Sequence, residues 1–293
     1  MKRLYLTLLI AAMAIAIAAC GSKDDTKSAS SPKPGAMASA SPATASPTPA
    51  SASPSASTTP AAKVELTVSA AASLTDALNE IGKKYEASHA NVKLAFNYGA
   101  SGTLQQQIEQ GAPADLFLSA ASKNMKTLVD KQLVDAGKQR NLLSNELVVV
   151  VPADSKLTLT GVADLAKPEV KVLSVGIPES VPAGQYAKDA LTNAKLWDSL
   201  QSKTVQAKDV KAVLQTVETG NAEAGFVYKS DALTSTKAKI AFTVTPGTYG
   251  AIEYPIGIVK ATKNAKETEE LYNYLQSKEA LDIFVKYGFV VPK

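Results

Sequence analysis

Residues 64–99 read VELTVSAAASLTDALNEIGKKYEASHANVKLAFNYG. A β-rich run over residues 64–70 gives way to helical periodicity over 74–86, and a second strand-like run covers 92–98. Between the first strand and the helix, Ser73-Leu74-Thr75-Asp76 fits the Ser-x-x-Asp start of a helix, in which side-chain oxygens take up the N–H groups that a helix start leaves unpaired. Strand, helix and strand in this succession predict a parallel sheet flanked by helices.

The alternation continues along the chain. Residues 104–110 are helical until Gly111 stops them, and 116–119, 147–151, 172–176 and 225–228 read as strands. Helical stretches such as 186–194 and 210–219 separate them. Residues 240–244 and 254–260 depart from strict alternation, with Pro246, Gly247 and Gly250 between them, and the end is helical over 265–277 and 279–286. The expected fold is α/β with two lobes, each a mainly parallel sheet flanked by helices, joined by crossing strands and enclosing a cleft. Residues 64–144 with 246–293 are expected to form one lobe and 145–245 the other, with the crossings near residues 144–146 and 243–246. Glu109-Gln110-Gly111 and Glu218-Thr219-Gly220 each end a helix before a strand, a hint that the lobes share a plan.

Ahead of this region, Lys2 and Arg3 precede an apolar run over residues 8–19, the charge and length of a signal peptide and too short to span a bilayer. Cleavage after residue 19, within Ile17-Ala18-Ala19-Cys20-Gly21, resembles processing of a bacterial lipoprotein, which implies acylation of Cys20 and anchoring on the outer face of the membrane. Residues 20–63 then form a linker. From residue 27 to residue 62 it is almost wholly Ser, Ala, Thr and Pro, so it lacks the apolar surface to offset ordering entropy and is expected to be disordered. Such a tether reaches roughly 30–36 Å as a flexible coil.

Composition narrows the function. Of 293 residues, 45% are hydrophobic, enough for a sizeable core. Six of the 31 bases and two of the 27 acids precede residue 64, which leaves 25 of each in the remainder. A neutral body argues against a nucleic-acid-binding surface. Cys20 is the only cysteine and His89 the only histidine, so the folded part offers no Cys/His metal cluster, disulfide or cysteine nucleophile. Arg140 is the only arginine beyond residue 3, so an anion site must use lysines or neutral donors.

Four helix starts stand out. Ser73-Leu74-Thr75-Asp76 and Ser101-Gly102-Thr103-Leu104 open helices after strands, Val181-Pro182-Ala183-Gly184 puts proline at a first helical position, and Lys208-Asp209-Val210 supplies an aspartate cap. Capping explains each one taken singly. Their coincidence with scarce Arg and His points instead to a small oxyanion held by backbone N–H groups and serine hydroxyls, since loops after strand C-termini line the ligand crevice of open α/β sheets.

The same residues carry a resemblance. Ala70-Ala71-Ala72-Ser73-Leu74-Thr75, Gly99-Ala100-Ser101-Gly102-Thr103-Leu104, Gly111-Ala112-Pro113-Ala114-Asp115-Leu116-Phe117, Val181-Pro182-Ala183-Gly184, Ala224-Gly225-Phe226-Val227-Tyr228 and Glu253-Tyr254-Pro255 resemble, in order, the periplasmic molybdate-binding proteins of bacterial ABC transporters. The resemblance implies the two-lobed periplasmic-binding-protein fold of type II, with a tetrahedral oxyanion in the interlobe cleft. It further implies Ser73 and Ser101 as hydroxyl and N–H donors, Ala183 and Val210 as backbone N–H donors and Tyr228 as a phenol donor. Gly102 stands where a serine is common in relatives, a change in the pocket wall beside Ser101.

The expected function is capture of molybdate and tungstate outside the membrane by a monomeric lipoprotein that serves a permease and ATPase, with no cofactor and with molybdenum present only as the bound oxyanion. The alternatives are a receptor for sulfate or another tetrahedral oxyanion, an enzyme on the same scaffold and a surface adhesin. Asp115 and Glu253 are separated carboxylates with no nucleophile or base arranged beside them, which argues against the enzyme. His89 is expected to be a solvated loop residue, Trp197 a packing residue, and Lys263, Lys266 and Lys278 with Glu267, Glu269 and Glu270 a solvated face.

Overall fold

The computed structural model describes residues 63–292. The expected signal peptide at residues 1–19, Cys20 with its expected lipid, and the linker up to residue 62 lie outside the described residues. Ten strands follow one another as β1 (Val64–Ala71), β2 (Val92–Gly99), β3 (Leu116–Leu118), β4 (Val134–Ser144), β5 (Leu147–Pro152), β6 (Leu173–Gly176), β7 (Thr204–Ala207), β8 (Ala224–Tyr228), β9 (Ala238–Thr243) and β10 (Glu253–Val259). The helices interleaved with them are α1 (Thr75–Ser88), α2 (Ser101–Glu109), α3 (Ser122–Asp130), α4 (Pro182–Asn193), α5 (Trp197–Leu200), α6 (Val210–Glu218), α7 (Lys229–Leu233), α8 (Ala265–Tyr274) and α9 (Lys278–Lys286).

Two five-stranded sheets result, in the orders β2-β1-β3-β10-β4 and β7-β6-β8-β5-β9. In the first, β1 pairs parallel with β2 and β3, and β10 runs antiparallel between β3 and β4. In the second, β6 pairs parallel with β7 and β8, and β5 runs antiparallel between β8 and β9. Each sheet therefore has four strands pointing one way and one reversed, and the reversed strand is the one that follows a crossing from the other sheet. The chain crosses at Asn145–Glu146, between β4 and β5, and again over residues 244–252, between β9 and β10. The second crossing is longer than the sequence suggests. It touches the first where the Asn145 N–H donates to Ile252 O at 3.2 Å.

Central strands are apolar on both faces because helices cover both. The Leu147–Val151 run and the whole of β8 are buried. Each such Leu or Val contributes about 1.5–3 kcal/mol on burial. On α1, Ala77, Leu78, Ile81 and Tyr85 recur at helical spacing and face the core, while Lys83 and Lys84 face water. His89 closes α1 and is half-buried, its ring stacked on Tyr85 at 4.0 Å between centroids, so the loop position holds and the full solvation does not. Trp197 opens α5 and packs against the core. Among the described residues, no helix is long and apolar enough to cross a membrane.

Candidate functional site

The C-terminal ends of β1, β2, β6, β7 and β8 converge where the two sheets face each other, and a small cavity lies there. Ser73, Ser101, Ala183, Val210 and Tyr228 all line it. The space open to the centre of a water-sized sphere is about 10 Å³, about what a single water needs, so the cavity is a tight one. All five residues are buried.

Each is placed there by a different local device. A short 3-10 turn, Ala72–Leu74, carries Ser73 off the end of β1 and leads into α1. Ser73 therefore does not cap α1. Leu74 is at the cap position and makes no side-chain bond, while Ser73 Oγ lies 2.9 Å from Tyr254 Oη. Ser101 likewise is the first residue of α2 and not its cap, because its hydroxyl turns inward to accept the Ala120 N–H at 2.9 Å. The other two starts behave as the sequence suggests. Pro182 opens α4 and places Ala183 in the first turn, and the Asp209 carboxylate accepts the Ala212 N–H at 2.8 Å, leaving Val210 first in α6. Gly184 lets α4 sit directly on β6, since a Cβ there would lie 2.0 Å from Gly176 O.

Helix-initial N–H groups have no partner inside their own helix, so α2, α4 and α6 present orphan donors and the positive ends of their dipoles to one point. Among the described residues, no lysine or arginine lines the cavity, and the bordering Asp209 carboxylate is engaged as a cap. Tyr228 ends β8 with its hydroxyl fully buried and without a hydrogen-bond partner. Burial pushes the phenol pKa well above its ordinary value, so Tyr228 stays protonated and keeps an O–H to donate. Ser101 Oγ accepts from Ala120, and its own proton is left for the cavity.

Lys211, next to Val210, bonds Asp76 at 2.6 Å and lies 3.5 Å from the buried Asp231. Burial works against its charge, yet Asp231 and Asp76 together raise its pKa. Asp76 belongs to α1 and Lys211 to α6, so this pair joins the two halves, as does the Gly102 N–H donating to Ser180 O at 2.9 Å. A Cβ at Gly102 would stand 2.8 Å from Ser180 O, so glycine is what allows this approach.

The carboxylates singled out in the sequence lie elsewhere and are tied into the framework. Asp115 accepts the Thr67 N–H at 2.7 Å and a short bond from the Thr262 hydroxyl, and Glu253 accepts from Ser122. No group of three or more His, Cys, Asp or Glu side chains arranged to hold a metal ion occurs among the described residues. Sequence reasoning missed Tyr254 and Asn145, which stand directly behind Ser73. Tyr254 appears in the sequence only within the Glu253-Tyr254-Pro255 motif, and Asn145 carries no motif at all.

The family described as bacterial extracellular solute-binding protein matches residues 66–290. A putative ABC transporter substrate-binding lipoprotein of Bacillus subtilis is 51% identical over 227 residues, covering 78% of this chain and 86% of the relative. The molybdate-binding protein of Haemophilus influenzae is 39% identical over 235 residues, covering 78% of this chain and 91% of the relative. A solved structure described as the substrate-binding domain of a putative molybdenum ABC transporter from Clostridium difficile shares 45% identity at a TM-score of 0.61, covering 78% of this chain and 99% of that one.

Proposed function

The chain belongs to the bacterial extracellular solute-binding proteins, and from that premise we propose that it captures molybdate, and tungstate with it, and delivers the anion to the permease of an ABC transporter. The buried Tyr228 hydroxyl without a partner, in a cavity fed by three helix N-termini and lined by no cationic side chain, carries this reading. Ser73, Ser101, Ala183, Val210 and Tyr228 are the proposed ligands. The halves act as lobes, residues 64–144 with 246–293 and residues 145–245, that close on the guest about the two crossings. Cys20 supplies the lipid anchor, consistent with the lipoprotein named among the relatives. The protein binds and releases its ligand unchanged and is not an enzyme.

A set of donors, with the bordering Asp209 carboxylate engaged as a helix cap, selects by protonation state. Monohydrogen phosphate brings a proton that needs an acceptor, and a buried site without one leaves it unpaired at roughly 1–3 kcal/mol. Sulfate carries no such proton and is rejected by size, because a smaller tetrahedron cannot reach every donor at good length. Hydrogen bonds to a charged guest contribute about 1.5–3 kcal/mol each, so the proposed donors support affinity of roughly micromolar to nanomolar after closure and desolvation. Titration calorimetry with molybdate, sulfate and phosphate is expected to rank molybdate first and phosphate last. Phosphate binding as tight as molybdate binding would remove the proposal.

A further inference from the structure

Behind Ser73 a chain of polar groups runs from the site to the point where the polypeptide crosses between the sheets. Tyr254, on β10, is buried, and its ring is held edge-on by Tyr228 at 5.7 Å and Phe289 at 5.3 Å between centroids. Its hydroxyl has two neighbours, Ser73 Oγ at 2.9 Å and Asn145 Nδ2 at 3.5 Å. The orientation of the Asn145 amide follows from its other bonds. Its Oδ1 accepts the Glu146 N–H at 2.9 Å, so the side that faces Tyr254 and Ser230 is the NH₂ group, which also donates to Ser230 Oγ at 2.8 Å. An amide NH₂ only donates. Of these two neighbours only Ser73 Oγ can accept the buried phenol proton. With one lone pair occupied by Tyr254, the proton of Ser73 is free to turn to the cavity.

We propose that Tyr254, aligned by Asn145, is the positioning residue that fixes Ser73 as a donor and so sets the preference of the site for fully deprotonated oxyanions. Left alone, a serine hydroxyl rotates and accepts as readily as it donates, so it would accommodate the proton of monohydrogen phosphate. The incoming phenol O–H occupies one of its two lone pairs and polarises the hydroxyl, which biases Ser73 towards donating its own proton. Because Asn145 stands in the crossing and also holds Ser230 beside Tyr228, the polarity of Ser73 is set by the same contact that aligns the two halves. The inference rests on the oxyanion reading above and goes beyond it by assigning selectivity to a residue outside the ligand set.

The test is a double-mutant cycle over Ser73→Ala, Tyr254→Phe and the pair, read by calorimetry with molybdate and with phosphate above its second pKa. Tyr254→Phe is expected to weaken molybdate about threefold to tenfold, the effect of one neutral hydrogen bond, while phosphate affinity holds or rises. In the Ser73→Ala background the same change is expected to leave both anions within about twofold. Loss of both anions in equal proportion, or the same loss with and without Ser73, would overturn the relay. Asn145→Asp guards against a Tyr254→Phe protein that does not fold. Its carboxylate accepts the phenol proton and turns the relay round, so the molybdate-to-phosphate ratio is expected to fall; an unchanged ratio overturns the proposal equally. Wild-type protein that binds neither anion would end the proposed function and the relay together, whereas molybdate binding with an additive cycle would end the relay alone.

Discussion

The Ser101 hydroxyl accepts the Ala120 N–H at 2.9 Å and keeps its own proton for the cavity. Ser101→Ala therefore removes a proposed ligand donor and also strands a buried backbone N–H. We expect molybdate affinity to fall about tenfold or more and stability to fall by about 1–3 kcal/mol, read by calorimetry and by urea unfolding. Full stability with lost affinity would mean that water replaces the hydroxyl at Ala120. At this scale the sequence is legible where a residue acts through its own backbone or its immediate neighbours. Pro182 and Asp209 announce helix starts because their effects are local. Ser73 and Ser101 announce starts too, but their hydroxyls are claimed by Tyr254 and Ala120, partners separated from them by 181 and 19 positions. A cap motif states what a hydroxyl can do locally, and only the tertiary fold decides what it does. The five proposed ligands were found together through the motifs that resemble molybdate-binding proteins, and the structure gathers all five around one cavity.

At the scale of elements, the buried strands were the easiest to read and the exposed edge the hardest. The apolar runs of β5 and β8 appear at nearly their true bounds because both faces are covered. The sequence reading leaves β4, β7, α3, α5 and α7 unassigned. In β4, Val134–Ser144, the middle is Asp, Ala, Gly, Lys, Gln, Arg and Asn, largely exposed and without period-two alternation, since it is an edge strand shaped by its partner β10. β7 is another edge strand of only four residues. The seat of α4 gives the prediction proper to this scale. A methyl group at Gly184 would meet Gly176 O at 2.0 Å and must push the helix start away from β6, taking the Ala183 N–H with it. Gly184→Ala is expected to cost about 1–3 kcal/mol of stability, as overpacking does, and to weaken the oxyanion by more than tenfold. Thermal unfolding and calorimetry check the two halves of that statement. Weaker binding without any loss of stability would mean that the helix yields freely and that its seat is not what aims it.

For the whole molecule, the alternation predicts α/β architecture, and the chain forms two mixed sheets linked at residues 145–146 and 244–252. What the alternation could not show is the charge at the join. Lys211 of one half reaches Asp76 of the other, and behind it Asp231 is fully buried with no hydrogen-bond partner of good geometry. Burial raises the Asp231 pKa to about 6 from an ordinary 3.8, against the opposing pull of Lys211. A carboxyl whose pKa is higher in the folded state binds its proton more tightly there, so folding gains from protonation and loses that gain as the pH rises through the folded value. The difference corresponds to about 3 kcal/mol at most. Asp231→Asn imitates the protonated form at every pH and leaves Lys211 its 2.6 Å bond to Asp76. The variant is therefore expected to be more stable than the wild type above about pH 6, with the gap closing as the pH falls towards 3.8. Urea unfolding of both proteins across that range measures the gap directly. A constant difference would mean that Asp231 does not titrate there, and a wild type more stable than the variant at neutral pH would mean that the ion pair with Lys211 outweighs the cost of burying the carboxylate.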